Sequence, residues 1–215
     1  MEVEEKKNMI LKCLAFLHGD ESTYEVCVMT PRKRKSTLWG NEHVNTLAAG
    51  YYTDHEKTAD TALKADKLTK PSAIFVSLNP VRKSSLTRAD HRLKANPNRT
   101  KDSQIRHIDN LLIDIDPVRP TGTSSTKEEH QAAFDLARKI RDDLSEEGWP
   151  RPLRADSGNG SHLIYKLDMV NSEENVRLVK NVLKFLARKY NTSKLEVDVG
   201  NGNPSRLTKL YGTKT

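Results

Sequence analysis

The sequence predicts a mixed α/β (α+β) chain in which an irregular N-terminal α/β module precedes a β-α-β-β-α-β unit. Three observations carry that prediction. Helix-start signals recur at Thr126 and Asn171, each with a Glu three places on. Apolar alternation with a period of two marks residues 108–116, 161–167 and 195–199 as strands. The tetrapeptide SGNG at 157–160, rich in residues tolerant of positive φ, reads as a tight hairpin turn between short apolar runs.

In chain order, the first hundred residues read as a short helix over 8–19, a strand over 24–29, a basic turn over 31–35, a helix over 58–69 and a strand over 73–78 ended by Asn79-Pro80. The polar segment 82–106 reads as a linker or mobile loop. In the second half, strand one covers 108–116 and stops at Pro117. Helix one runs from its Thr126 cap and Glu129 capping box to Gly148. Strand two covers 152–156, strand three 161–167, helix two 171–190 and strand four 195–199. This order is that of the ferredoxin-like or RRM-like unit, with strands expected in the spatial order four, one, three, two. The division expected is a module over 1–106 and a catalytic module over 107–215.

Side chains alternate across a strand, so strand order decides which residues share a face. With Ile113 and Ile115 turned to the helices, Asp114 and Asp116 turn to the opposite face. Leu163, Tyr165 and Leu167 point inward on strand three and His162 does not; Leu195, Val197 and Val199 point inward on strand four, and Glu196 and Asp198 do not. Two aspartates one residue apart repel unless a cation lies between them. Hard carboxylate donors without cysteine favour Mg²⁺ or Mn²⁺ over zinc, and a pair of such ions serves phosphoryl transfer. Glu196 shares the parity of Asp198, which ranks above it as the third acid.

The turn DSGNGSH, residues 156–162, offers small residues such as Ser157 and Gly160 whose amides can approach a phosphate, followed by His162 as a donor. Arg206 and Lys209, three apart, can reach a triphosphate from one side. Composition agrees with an anionic partner. The net charge is +7, and residues 1–106 hold 19 Lys/Arg against 13 Asp/Glu, so the excess lies in the first half. Its densest stretch includes Arg82, Lys83, Arg88 and Arg92, which with Asn79 form a candidate template contact. Cys13 and Cys27 lack metal-ligand spacing and read as reduced core residues. No apolar run approaches the ~20 residues of a membrane span, and the charged start MEVEEKKNM is unlike a secretory signal, so a cytoplasmic setting without membrane contact is expected.

The strings LLIDIDP (111–117), DSGNGSHLIY (156–165) and VDVGNGNPSRLTKLYGT (197–213) resemble the three motifs of the archaeo-eukaryotic primase superfamily. The likeness to its prim-pol branch, found in mobile-element replication proteins and CRISPR-associated primase-polymerases, extends to GYYTD (50–54), FVSLNPV (75–81) and DPVRP (116–120). The resemblance implies a primase-polymerase core acting on single-stranded DNA template and primer with deoxyribonucleotides or ribonucleotides. Two Mg²⁺ or Mn²⁺ would be held by Asp114, Asp116 and Asp198. Ser157 and His162 would contact the nucleotide phosphates, and Arg206 and Lys209 would clamp the triphosphate. It further implies that the chain is the excised core of a longer protein carrying a helicase or other domains. Where relatives carry an apolar or aromatic stretch, this chain reads GNGN at 200–203.

Other functions fit less well. An RNA-binding RRM uses aromatics where this sheet has aspartates. A nicking endonuclease on the same core needs two histidines and a helix tyrosine; Tyr190 is present, but SHLIY supplies one histidine. A palm-type cyclase needs an acid in the hairpin turn, and SGNG has none. The main rival is a replication or defence factor that binds nucleic acid without catalysis.

Overall fold

The computed structural model describes residues 2–34, 38, 45–68, 73–95, 97–120 and 122–214. It divides into two compact units, one comprising Met1–His107 with Ser205–Thr215 and the other Ile108–Pro204. The sequence reading grouped the last residues with the second module. Their backbone decides otherwise, because a short strand over Leu207–Lys209 pairs with one over Ala73–Ser77 in the first unit.

The first unit contains helices α1 (Val3–Leu17) and α2 (His55–Leu68) and strands β1 (Tyr24–Arg34), β2 (Asn45–Tyr52), β3 (Ala73–Ser77) and β4 (Lys94–Ala95). The predicted end of the second helix at Thr69 and the predicted turn's Lys35 lie outside the described residues. Through Arg34, the remainder of that predicted turn continues β1 past a register irregularity after Met29. The expected linker over 82–106 is instead built onto the unit. It carries a 3-10 turn at Lys83–Arg88, strand β4 on β2, and a second 3-10 turn at Asp102–Gln104. Its sparse apolar residues are the reason: Ala89 and Ile105 bury against Tyr51 and Val81, with Leu86 packed on them. Arg88 pins the segment, with Nη1 donating to Tyr51 Oη (3.1 Å), Asn98 O (3.3 Å) and Gln104 Oε1 (3.2 Å). Its guanidinium also lies 5.7 Å from the Tyr51 ring centroid.

The second unit contains β5 (His107–Pro117), α3 (Lys127–Glu146), β6 (Leu153–Asp156), β7 (Ser161–Val170), α4 (Glu173–Tyr190) and β8 (Leu195–Val197); the closing strand Leu207–Lys209 of the first unit is β9. The sheet order is β6-β7-β5-β8, the predicted arrangement of the four strands, and the first unit's sheet runs β4-β2-β1-β3-β9. Ile113, Ile115, Leu163, Tyr165 and Val197 from the sheet meet Ala133, Ala137, Ile140 and Leu144 of α3 and Val179, Leu183 and Leu186 of α4 in one core. Ile108 joins that core together with Leu111, so the alternation slips once between them, ahead of the aspartates.

Helix α3 begins as predicted: Thr126 Oγ1 accepts from Glu129 N (3.2 Å) and Glu129 Oε2 accepts from Thr126 N (2.8 Å). The cap of α4 is Ser172 rather than Asn171, because its hydroxyl accepts from Asn175 N at 3.2 Å. Among the described residues no helix is long and apolar enough to cross a membrane. Replacing Arg88 with Ala should lower stability by about 1 kcal/mol by removing its hydrogen bonds to Tyr51, Asn98 and Gln104, although Tyr51 Oη keeps Thr100 and Asn98, and Gln104 Oε1 keeps Lys101 N. Urea denaturation checks this, and Arg88→Lys, lacking the planar fork, should recover little of the loss.

Candidate active site

Strand alternation delivers the site. Ile113 and Ile115 are fully buried against α3 and α4, so Asp114 and Asp116 turn to the other face, half-buried. β8 runs antiparallel beside them with Asp116 opposite Glu196 and Ile115 opposite Val197. The ladder extends one step further, as Asp198 N donates to Asp114 O at 2.9 Å. Asp198 therefore stands next to Asp114 although β8 ends at Val197, short of the predicted Val199. Its carboxylate ends the strand: Oδ1 accepts from Gly200 N at 2.7 Å and caps a 3-10 turn at Val199–Gly202. Val199, expected inside, is exposed in that turn.

His162 of β7 is buried, with Nε2 3.1 Å from Asp114 Oδ1. That is an ion-pair distance, but its alignment does not make a hydrogen bond, and Asp114 Oδ1 is a buried oxygen without a hydrogen-bond partner. The Asp116 carboxyl is pushed up to about 6, first by burial and then by the Asp114 charge, with Asp198 adding and Arg119 and His162 opposing. Arg119 Nη1 lies 3.9 Å from Asp116 Oδ1. It is held by Nε donating to Thr123 O (2.9 Å) and Nη1 donating to Pro117 O (3.1 Å). Arg119 was not among the sequence candidates; its signal was the i,i+3 spacing from Asp116 in DPVRP.

The SGNG turn closes over the end of β5. A Cβ on Gly160 would lie 2.1 Å from Ile115 O and 2.6 Å from Asp116 Oδ1, so only glycine fits. The turn satisfies its own donors. Gly158 N donates to Asp156 Oδ1 (2.6 Å), Gly160 N to Ser157 Oγ (2.8 Å) and Ser157 N to Gly160 O (3.2 Å). Ser157 thus organises the turn, and Asp156 is met by His130 Nε2 at 3.0 Å, another residue the sequence reading passed over.

The remaining candidates lie in the first unit. Arg206 O accepts from Leu78 N at 2.7 Å, and Lys209 is a buried residue of β9 opposite Phe75. Asn79 is buried, Arg82, Lys83 and Arg92 are exposed, and Arg88 is committed to the pin described above. Tyr190, the tyrosine a nicking enzyme would need, is buried in the helix-side core, with its hydroxyl donating to Asp143 Oδ2 at 2.7 Å. Cys13 and Cys27 are free and buried, and burial pushes the Cys13 thiol up to about 12.

The oxygen donors and the partnerless Asp114 Oδ1 suit a hard divalent cation. Among the described residues, however, no group of three or more His, Cys, Asp or Glu side chains is assembled to hold a metal ion. Asp198 Oδ1 is engaged with Gly200 N.

No protein-family model and no curated protein match the sequence. Among solved structures, the polymerase domain from Mycobacterium tuberculosis Ligase D in complex with DNA is similar at 16% identity and a TM-score of 0.47, covering 96% of this chain and 74% of that one.

Two outcomes follow from this geometry. Gly160→Ala should destabilise the fold and displace Asp116, read as a lower melting temperature. Because Asp116 holds its proton longer folded than unfolded (about 6 against 3.8), its contribution to stability falls as pH rises from about 4 to about 6. Asp116→Asn should remove that fall, a gain of about 1–2 kcal/mol at pH 7 after discounting for partial exposure. Melting curves of both proteins across that range check it.

Proposed function

We propose that this chain is a template-dependent nucleotidyltransferase, a primase-polymerase core that joins nucleotides to a 3′-hydroxyl on single-stranded DNA. The observation that carries this reading is the crowding of Asp114, Asp116 and Asp198 beside His162 at one end of the four-stranded sheet. The ordered motifs resembling the prim-pol branch add the substrate class.

Asp114, Asp116 and Asp198 would hold two Mg²⁺ or Mn²⁺, which when bound neutralise phosphate charge and acidify the attacking hydroxyl. In the transfer, the 3′-oxygen forms a bond to the α-phosphorus, the bond to the β-phosphate bridge breaks, pyrophosphate leaves and the hydroxyl proton passes to solvent. His162, already beside Asp114, donates to a phosphate oxygen. Arg119, 3.9 Å from Asp116 Oδ1, limits the excess negative charge there. Gly160 lets the hairpin turn approach Ile115 O and Asp116 Oδ1 closely. Arg206 and Lys209, assigned to the triphosphate by the resemblance, are tested through the KM for nucleotide.

A second reading, binding of nucleic acid without catalysis, is favoured by the absence among the described residues of an assembled three-ligand group and by the exposed Arg82, Lys83 and Arg92. One experiment separates the two. The protein is incubated with single-stranded DNA, labelled nucleotides and Mn²⁺, with and without primer, beside Asp114→Ala/Asp116→Ala. Product from the wild type alone is expected, and equal product from both proteins, or none from either, overturns catalysis. Extension without initiation leaves a polymerase and removes the primase.

A further inference from the structure

Helix α4 has one apolar stripe too many. Val179, Leu183, Leu186 and Ala187 bury against the sheet, as an amphipathic surface helix requires. Leu178 and Phe185, two turns apart, form a second stripe that faces water at 52% and 60% exposure. The stripe forms one wall of a groove of about 360 Å³ between α4 and the C-terminal end of α3, lined further by Leu144, Trp149, Val182 and Leu186, with Glu147 and Lys189 also bordering it. An apolar ridge next to an apolar groove on a charged protein marks an interaction surface.

We propose that this face pairs with a second copy of the chain about a two-fold axis that lies between the ridge and the groove, parallel to both. Ridge and groove lie side by side on one surface, so an isologous pairing fills both grooves at once with the partner's Phe185 and Leu178. The charges select the same occupant. The α3 side is acidic through exposed Glu146 and Glu147, and the outer flank of α4 is basic through exposed Arg177, Lys184 and Arg188. With the axis between ridge and groove, the basic flank of each copy meets the acidic side of the other. An acidic amphipathic partner would suit the α4 flank but would be repelled by Glu146 and Glu147. The pairing is independent of the proposed activity.

Sedimentation equilibrium of the full chain over a range of concentrations tests the pairing. The expected mass is twice the 24.3 kDa of one chain. Phe185→Asp should weaken dimerisation at least about tenfold, as loss of a central aromatic anchor does, with an unchanged thermal melt showing that the exposed substitution leaves the fold intact. Two charge reversals sharpen the test: Arg177→Glu/Lys184→Glu/Arg188→Glu and Glu146→Lys/Glu147→Lys should each be monomeric alone and form a heterodimer when mixed. A monomer at every concentration overturns the proposal, as does a dimer that survives Phe185→Asp or a mixture that stays monomeric. Capture of a different protein by a monomeric wild type would equally reject the second copy as occupant.

Discussion

Like charges at the end of β5 set the terms for everything around them. Ile113 and Ile115 must face α3 and α4 to close the core, and the alternation of a strand then leaves no choice about Asp114 and Asp116. Both are driven partly out of water within a residue of each other, and Asp198 is brought alongside by its backbone bond to Asp114 O. The cost shows in the raised Asp116 carboxyl. Arg119 beside Asp116 offsets part of it, and His162 stands 3.1 Å from Asp114. Crowding of this kind is what the proposed cation would relieve.

The hairpin turn belongs to the same constraint. Gly160 passes so close to Ile115 O that no side chain fits, and the amides of Ser157, Gly158 and Gly160 are satisfied within the turn by Gly160 O, Asp156 and Ser157. The turn is therefore a rigid wall over the carboxylates rather than a row of free donors. Rigidity of this kind holds His162 in place, at the start of the strand that follows.

In the first unit, charge that reads as solvated from the sequence is spent on internal architecture. Glu25 is fully buried, accepts from Thr100 N at 3.3 Å and lies 3.7 Å from the guanidinium of Arg99. Arg88 performs the analogous task for Tyr51 and Gln104. A buried carboxylate needs such partners, and the basic segment supplies them by folding over the sheet edge. Part of the local positive charge is thus neutralised inside, while Arg82, Lys83, Arg92, Lys94, Lys101 and Arg106 stay exposed.

The second unit was legible because each of its elements is specified locally. Thr126 and Glu129 start α3, alternation marks β5 and β7, and SGNG joins the hairpin; the expected strand order followed from that element order alone. Asp114, Asp116 and His162 were legible by parity for the same reason. Local signals miss what distant residues decide. Leu207–Lys209 becomes β9 of the first unit only because Phe75 and Val76 wait there to pair with it. Segment 82–106 is polar enough to look like a linker, yet Ala89 and Ile105 have Tyr51 to bury against. Arg119 earns its place by proximity to Asp116 and a backbone grip on Thr123, neither of which composition encodes. The sequence by itself determined which residues face each other across the second sheet, since side-chain period and turn chemistry are local properties. Only the tertiary structure decided which charges are buried, which are neutralised and where the chain's last strand pairs, because burial and long-range pairing depend on what the rest of the chain brings alongside.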